Sequence, residues 1–153
     1  MRAATYATLF VGFVLVTLAA RVLSASGVSA PTATGVWQAT GLAVGVCGAA
    51  VALACIITFV VEGRGTPAPF DPPRRLVAKG PYAVLRNPMY LGAAAAMGGA
   101  AAFYQSAALL GYVAAFLIVT HLFVVAYEEP TLRRTFGPDY EIYCQQVRRW
   151  WIA

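Results

Sequence analysis

Charged residues are scarce in this chain: only 11% of its 153 residues are Asp, Glu, Lys or Arg, whereas 60% are hydrophobic. This balance excludes an ordinary soluble domain, in which about a quarter of the residues are charged. There is a single histidine, and the three cysteines, Cys47, Cys55 and Cys144, have neither the spacing of a zinc site nor that of a disulfide framework. The sequence therefore predicts no metal site, and it predicts a membrane environment.

Long uncharged runs occupy most of the sequence, at residues 3–20, 22–61 and 87–127. A membrane-spanning helix needs about 20 apolar residues. Turn-forming residues at 24–35 and the polar pair Gln105-Ser106 divide the two longer runs. We therefore expect a single all-α integral membrane domain over residues 1–153, with four transmembrane helices at about 4–23, 36–61, 89–104 and 107–127.

Basic residues concentrate on one side of this predicted topology. Five of the eleven lie between Arg64 and Arg86, and four between Arg133 and Arg149. By the positive-inside rule, the loop 62–88, the tail 128–153 and both termini are expected to face the cytoplasm. The excess of positive charge there favours contact with anionic lipid headgroups over contact with nucleic acid. The N-terminus also has the outline of a cleaved signal peptide, but its apolar core is longer than the roughly 7–15 residues of a signal.

The predicted cytoplasmic segments have different characters. The loop has four prolines between Glu62 and Pro73, which exclude a helix or a central strand and predict an extended, semi-rigid cover. In the tail, Pro138 is a plausible first helical residue, and Tyr140 and Tyr143 recur at helical spacing. We expect a short amphipathic helix there, with both tyrosines facing back towards the loop.

Four short motifs follow one another in the second half of the chain. They are Leu76-Val77-x-x-Gly80-Pro81-Tyr82, Arg86-Asn87-Pro88-x-Tyr90-x-Gly92, Glu128-Glu129, and Phe136-Gly137-x-x-Tyr140-x-x-Tyr143-x-x-x-Val147. In this order and spacing the sequence resembles the isoprenylcysteine carboxyl methyltransferase family and, more distantly, the membrane phospholipid methyltransferases. It departs from the family pattern at Asn87, where the family often has histidine, and at Arg148, where a proline commonly follows the valine.

The resemblance implies a membrane enzyme that uses S-adenosylmethionine, held on the cytoplasmic side between the ends of the last spans and the C-terminal segment. The residues that it assigns to the cofactor are Val77, Gly80, Tyr82, Arg86, Asn87, Pro88, Tyr90, Glu128 and Glu129. Those that it places at the substrate are Tyr140, Tyr143 and Arg149. Glu129 and Arg86 are the candidate catalytic residues.

The chemistry of S-adenosylmethionine suggests a role for several of these side chains. Arg86 can hold the methionine carboxylate with a fork of donors. Glu128 or Glu129 can accept from the amine or the ribose hydroxyls, and Tyr82 or Tyr90 can cover the adenine or face the sulfonium. A carboxylate acceptor of the methyl group needs no general base, whereas an amine acceptor must lose a proton, and Glu129 would then take it.

Each candidate also has a structural interpretation. Arg86 can extend its charged end to lipid phosphate, and Asn87-Pro88 can cap a helix and begin its first turn. The two acids can simply end a span, although ionisable groups at membrane depth are functional by default. For His121 we expect a packed, hydrogen-bonded imidazole, and a role in proton relay is the less favoured alternative.

These observations predict methyl transfer from S-adenosylmethionine to a lipophilic acceptor, with a carboxylate of isoprenylcysteine type as the first choice. A small isoprenoid or fatty acid and a lipid amine stay open as acceptors. The rival interpretation is a small multi-span transporter or a non-catalytic membrane scaffold. Transport usually needs an ionisable residue near the bilayer midplane, whereas the acids and Arg86 cluster at one predicted rim.

Overall fold

Helices make up the part of the chain that the computed structural model describes, which is residues 13–32, 34–63 and 75–151. The elements in chain order are α1 (Phe13–Ala25, its first part Phe13–Leu18 wound as a π-helix), α2 (Val36–Gly63), a 3-10 turn (Gly80–Ala83), α3 (Pro88–Tyr104), α4 (Ala107–Phe136) and α5 (Pro138–Gln146). The predicted all-α class is confirmed, since these ranges contain no strand. An isolated parallel bridge joins Leu85 to Arg148.

Helices α2 and α3 lie antiparallel and pack closely against each other. Their backbones can approach because glycines of one helix face glycines of the other. A Cβ atom at Gly41 would lie 2.6 Å from the carbonyl oxygen of Gly99, and one at Gly92 would lie 2.9 Å from that of Gly48. At such a separation the two backbones pack directly against each other. Gly41 and Gly45, four residues apart on α2, therefore serve packing within the chain.

A tight hairpin joins α3 to α4, as the polar break in the sequence predicted. Gln105 takes the left-handed conformation with φ 50°, and the Ser106 hydroxyl accepts a hydrogen bond from the Leu109 amide at 3.2 Å. Ser106 thereby satisfies one of the free amides at the start of α4. Ala94, Met97 and Val113 form the buried contact between the two helices.

Helix α4 continues to Phe136, beyond the predicted end of its span at Tyr127. The residues Val124–Glu128 are wound as a π-helix, and the amide of Glu129 bonds to the carbonyl of Val124, five residues earlier. This wider turn lets Pro130, which has no N–H to donate, lie inside a continuing helix.

The C-terminal helix predicted after Pro138 is present as α5. Gly137, with φ 52°, makes the sharp bend that separates it from α4. Tyr140 and Tyr143 are buried on its inner face, in a cluster that includes Val147, Leu76, Leu132 and Phe136. The tyrosines thus face back towards the loop, as expected.

Helices α2 and α4 are both long and apolar enough to cross a membrane. Large apolar side chains cover the outer surface of α2, among them Leu42, Val46, Leu53 and Val61, each more than half exposed. Helix α3 has 17 residues, at the lower end of what a span needs. Four spans and cytoplasmic termini stay predictions, because two of the described helices are long and apolar enough to span. Residues 4–12 of the first predicted span and 64–74 of the predicted loop lie outside the described ranges.

Two neighbouring glycines of α3 test the close packing against α2. A Cβ atom at Gly99 would overlap the backbone of Gly45, whereas one at Gly98 meets nothing within 4 Å. We expect Gly99→Ala to destabilise the protein by ~1–3 kcal/mol through overpacking, and Gly98→Ala to be neutral or stabilising because alanine favours helix. Thermal unfolding of both variants in detergent measures this, and equal midpoints would contradict the packing described.

Candidate active site

Glu129 lies at the centre of the polar cluster that the sequence predicted. Its side chain is 4% exposed, and it receives two hydrogen bonds from Arg149, from Nε to Oε1 at 2.7 Å and from Nη2 to Oε2 at 2.8 Å. Nη1 of Arg86 lies 3.1 Å from Oε1 of the same carboxylate. Arg133 is a more distant third cation, at 4.0 Å. A buried carboxylate is stable only with such partners, and its bonds to Arg149 raise the pKa of that guanidinium.

Arg86 is held at one end of its guanidinium and unpaired along one edge. Nη1 faces Glu129 and also donates to the Cys144 sulfur at 2.8 Å. Nε is buried and has no hydrogen-bond partner among the described residues. A buried donor without a partner is uncommon in native structures. The edge formed by Nε and Nη2, which carries no described contact, has the two parallel donors that a carboxylate binds.

The residues around Arg86 are tied to the C-terminus. The Arg86 amide donates to the Arg148 carbonyl at 2.9 Å, and the Asn87 side-chain amide donates to the Arg149 carbonyl at 3.3 Å. Asn87 precedes α3, with Pro88 as the first helical residue, but its side chain makes no capping hydrogen bond. The alternative in which the Asn87 side chain caps α3 is therefore not observed, and its Nδ2 connects the start of α3 to the tail instead.

Glu128 faces a different partner from its neighbour. Its Oε2 accepts a hydrogen bond from the Tyr90 hydroxyl at 3.0 Å, and no cationic partner of Glu128 occurs among the described residues. Successive residues of a helix point about 100° apart. The two adjacent acids consequently divide their contacts, Glu129 towards the arginines and Glu128 towards α3.

The tyrosines of the cluster serve mainly as buried connections. The Tyr143 hydroxyl donates to the Tyr82 carbonyl at 2.7 Å, and the ring of Tyr82 meets that of Phe59 edge to face at 5.7 Å. Burial raises the pKa of both Tyr82 and Tyr143, so both hydroxyls keep their protons at neutral pH. Tyr82 is only 7% exposed, so little of its ring is accessible to an adenine. A stacking role for Tyr82 against adenine therefore stays a prediction.

The structure places the other predicted residues at the edges of this cluster. Val77 is buried against Cys55 and Tyr82, and Gly80, with φ 57°, begins the 3-10 turn beside Thr58. Tyr140 is buried beside Tyr143, and Arg149 binds Glu129 directly. Cys144 was missed, because a lone cysteine in a polar tail gives no spacing signal. Its helical spacing of four residues from Tyr140 was the available clue.

A family model described as phospholipid methyltransferase matches residues 36–139 of the chain, which is more than half of its length. The chain belongs to the phospholipid methyltransferase family. The match contains Arg86, Tyr90, Glu128 and Glu129, whereas Tyr140, Tyr143 and Arg149 lie beyond its end. No curated protein and no solved structure matches the chain.

Membership of this family implies a methyltransferase, and together with the two long apolar helices it indicates a membrane protein. It also favours the enzyme over the transporter or scaffold. The family description names phospholipids, so lipids are the class of acceptor to consider. The more distant of the two resemblances in the sequence is thus the one that the family match supports.

The importance of the buried cluster can be tested by replacing, one at a time, two glutamates that both contact Arg133. Replacing Glu129 with Gln leaves Arg86 and Arg149 without their anion, and breaking a buried pair costs about 3–5 kcal/mol. Replacing Glu141, which pairs with Arg133 at 2.9 Å but is 53% exposed, should change stability by less than about 1 kcal/mol. Thermal unfolding of Glu129→Gln and Glu141→Gln in detergent compares them. A smaller loss for Glu129→Gln would contradict the central role of this carboxylate.

Proposed function

We propose that this membrane methyltransferase transfers a methyl group from S-adenosylmethionine to a lipophilic acceptor at the cytoplasmic face of the bilayer, as a multi-pass protein with both termini in the cytoplasm. The observation that carries the proposal is that the matched family region contains a polar cluster in which the buried Nε of Arg86 has no described hydrogen-bond partner. The basic loop and tail support the orientation through the positive-inside rule.

The residues present fit the methionine part of S-adenosylmethionine, which carries a carboxylate and an ammonium group. The free edge of Arg86 offers two parallel N–H donors for the carboxylate. Glu128 has only the Tyr90 hydroxyl as a described partner, so it can accept from an ammonium group without losing an internal ion pair. Arg86 and Glu128 together would bind the amino-acid end of the molecule.

The contacts of Glu129 favour an acceptor that needs no general base. Both of its oxygens already accept charge-assisted hydrogen bonds from Arg149, and Arg86 adds a third positive contact. Glu129 then positions the arginines and is not free to remove a proton. A carboxylate acceptor of isoprenylcysteine type is suited to this site, because it attacks in its ionised form and is attracted by the surrounding positive charge.

The transfer itself is a displacement at carbon. When bound, S-adenosylmethionine would be held by Arg86 and Glu128 and would supply a methyl group on positively charged sulfur, which the acceptor oxygen would attack with the thioether as the leaving group. The chain contributes alignment through Arg86 and Glu128, and exclusion of water by the buried tyrosines.

A lipid amine is the second candidate acceptor, and the family description favours it. An amine must lose a proton before or during transfer. Glu128 is the carboxylate in the described cluster without an arginine partner, so the proton would pass to Glu128 and not to Glu129, to which the sequence had assigned that role. The nature of the product separates the two acceptors.

Cofactor binding depends on the shape of the Arg86 side chain and not only on its charge. Arg86→Lys keeps a cation beside Glu129 but removes the pair of parallel N–H donors. We therefore expect S-adenosylhomocysteine to bind at least about tenfold more weakly, because charge-assisted hydrogen bonds are lost. Calorimetry on the detergent-purified protein measures the affinity. Arg134→Lys, at an exposed arginine, is the matched control and should bind like the wild type. Unchanged binding by Arg86→Lys would show that the Nε and Nη2 donors of Arg86 do not bind the cofactor.

The stability of the product to base identifies the acceptor. We expect the protein, supplied with methyl-labelled S-adenosylmethionine and an S-prenylated N-acylcysteine, to form a methyl ester that releases volatile methanol in alkali. Vesicles containing phosphatidylethanolamine provide the amine acceptor, and an N-methyl product is stable to alkali. Label found only in the base-stable lipid would overturn the carboxylate assignment and support the amine.

A further inference from the structure

The chain continues after α5 without helix, and we call residues 147–150 the C-terminal strap. Val147 has the extended backbone angles φ −124° and ψ 128°, and its side chain is buried. The strap lies beside the segment that precedes α3, through the Leu85–Arg148 bridge and the hydrogen bond from the Arg86 amide. It therefore forms one wall of the proposed active site.

Two neighbouring side chains of the strap attach it to α4 at separate points. Arg149 binds Glu129 through both carboxylate oxygens, and the Trp150 indole N–H donates to Nδ1 of His121 at 3.1 Å. His121 and Glu129 are eight residues apart on one helix, which is about 12 Å along its axis. Attachment at two such points fixes the direction of the strap as well as its position.

The contact between Trp150 and His121 lies on a face that the protein leaves uncovered. His121 is exposed, and Ile118 and Val125, which lie on the same face, are 61% and 42% exposed. In a membrane protein such a face borders lipid, where no water is present to bond an indole N–H or an imidazole nitrogen. The two groups satisfy each other there, so their hydrogen bond is harder to replace than an equivalent bond in water.

We propose that Trp150 and His121 are positioning residues for methyl transfer, a proposal that rests on the proposed function. Their hydrogen bond holds the strap so that Arg149 stays on Glu129, and Glu129 in turn holds Nη1 of Arg86. The orientation of the free edge of Arg86 then depends on a contact that lies outside the binding site. In this proposal both residues act through the strap, and neither is assigned a contact with the cofactor or the acceptor.

The experiment compares His121→Ala, His121→Asn, Trp150→Phe and Trp151→Phe in the full-length protein. Asparagine places its Oδ1 near the position of Nδ1 and can accept from the indole, whereas Trp150→Phe keeps a ring and removes the donor. We expect His121→Ala and Trp150→Phe to weaken S-adenosylhomocysteine binding about three- to tenfold, the range of one hydrogen bond in a membrane. His121→Asn should restore wild-type affinity. Trp151 is 67% exposed, and Trp151→Phe is the matched control, expected to bind like the wild type.

Trimming by carboxypeptidase, followed by mass spectrometry, reports on the strap independently of any ligand. We expect the enzyme to trim His121→Ala and Trp150→Phe beyond residue 150 sooner than the wild type, with equal thermal midpoints excluding general unfolding. Wild-type affinity and wild-type protection in both variants would overturn the proposal, as would a loss in His121→Ala that His121→Asn does not restore. A wild-type protein that binds no S-adenosylhomocysteine would refute the proposed function, and the trimming would still test the strap.

Discussion

The buried carboxylate of Glu129 is the contact on which the rest of the site depends. It joins three parts of the chain that are far apart in sequence: helix α4, the segment before α3 that carries Arg86, and the C-terminal strap that carries Arg149. Removing these charges from water is costly, and the cost is offset only where geometry is close to ideal. The two-point contact from Arg149 supplies that geometry and leaves Arg86 with one edge free.

The fold followed from features of the sequence that act locally. Gln105-Ser106 marked the hairpin because a polar pair between two apolar runs has no place inside a bilayer, and Pro138 marked the start of α5. One boundary differed. The sequence placed the end of the span at Tyr127 because the uncharged run ends there. Pro130 would normally break the bonding of an α-helix soon after that point, but five-residue bonding in the preceding turn accommodates it and α4 continues. No propensity in the sequence indicates that change.

The members of the site were predictable, but most of their pairings were not. Motif order brought Arg86, Tyr90, Glu128 and Glu129 into one list, and the structure brings them into one cluster. Which acid meets the arginines depends on how α4 winds, and that is set by packing. The amide of Asn87 bonds to the strap because the tail folds back over it, a contact between residues 62 positions apart. His121 was expected to be hydrogen-bonded, and it is, although its partner Trp150 lies on an exposed face.

The π-helical turn at Val124–Glu128 acts as a register shift within α4. An α-helix would bond the Glu129 amide four residues back, and the observed bond reaches five, as if one residue had been inserted into a regular helix. One inserted residue rotates everything after it by about 100°. The assignment of one acid to Tyr90 and the other to the arginines thus depends on a single residue of helix winding: gain of one amino acid between His121 and Glu128 would carry Glu128 to the position beside the arginines, and loss of one would carry Glu129 to the position beside Tyr90.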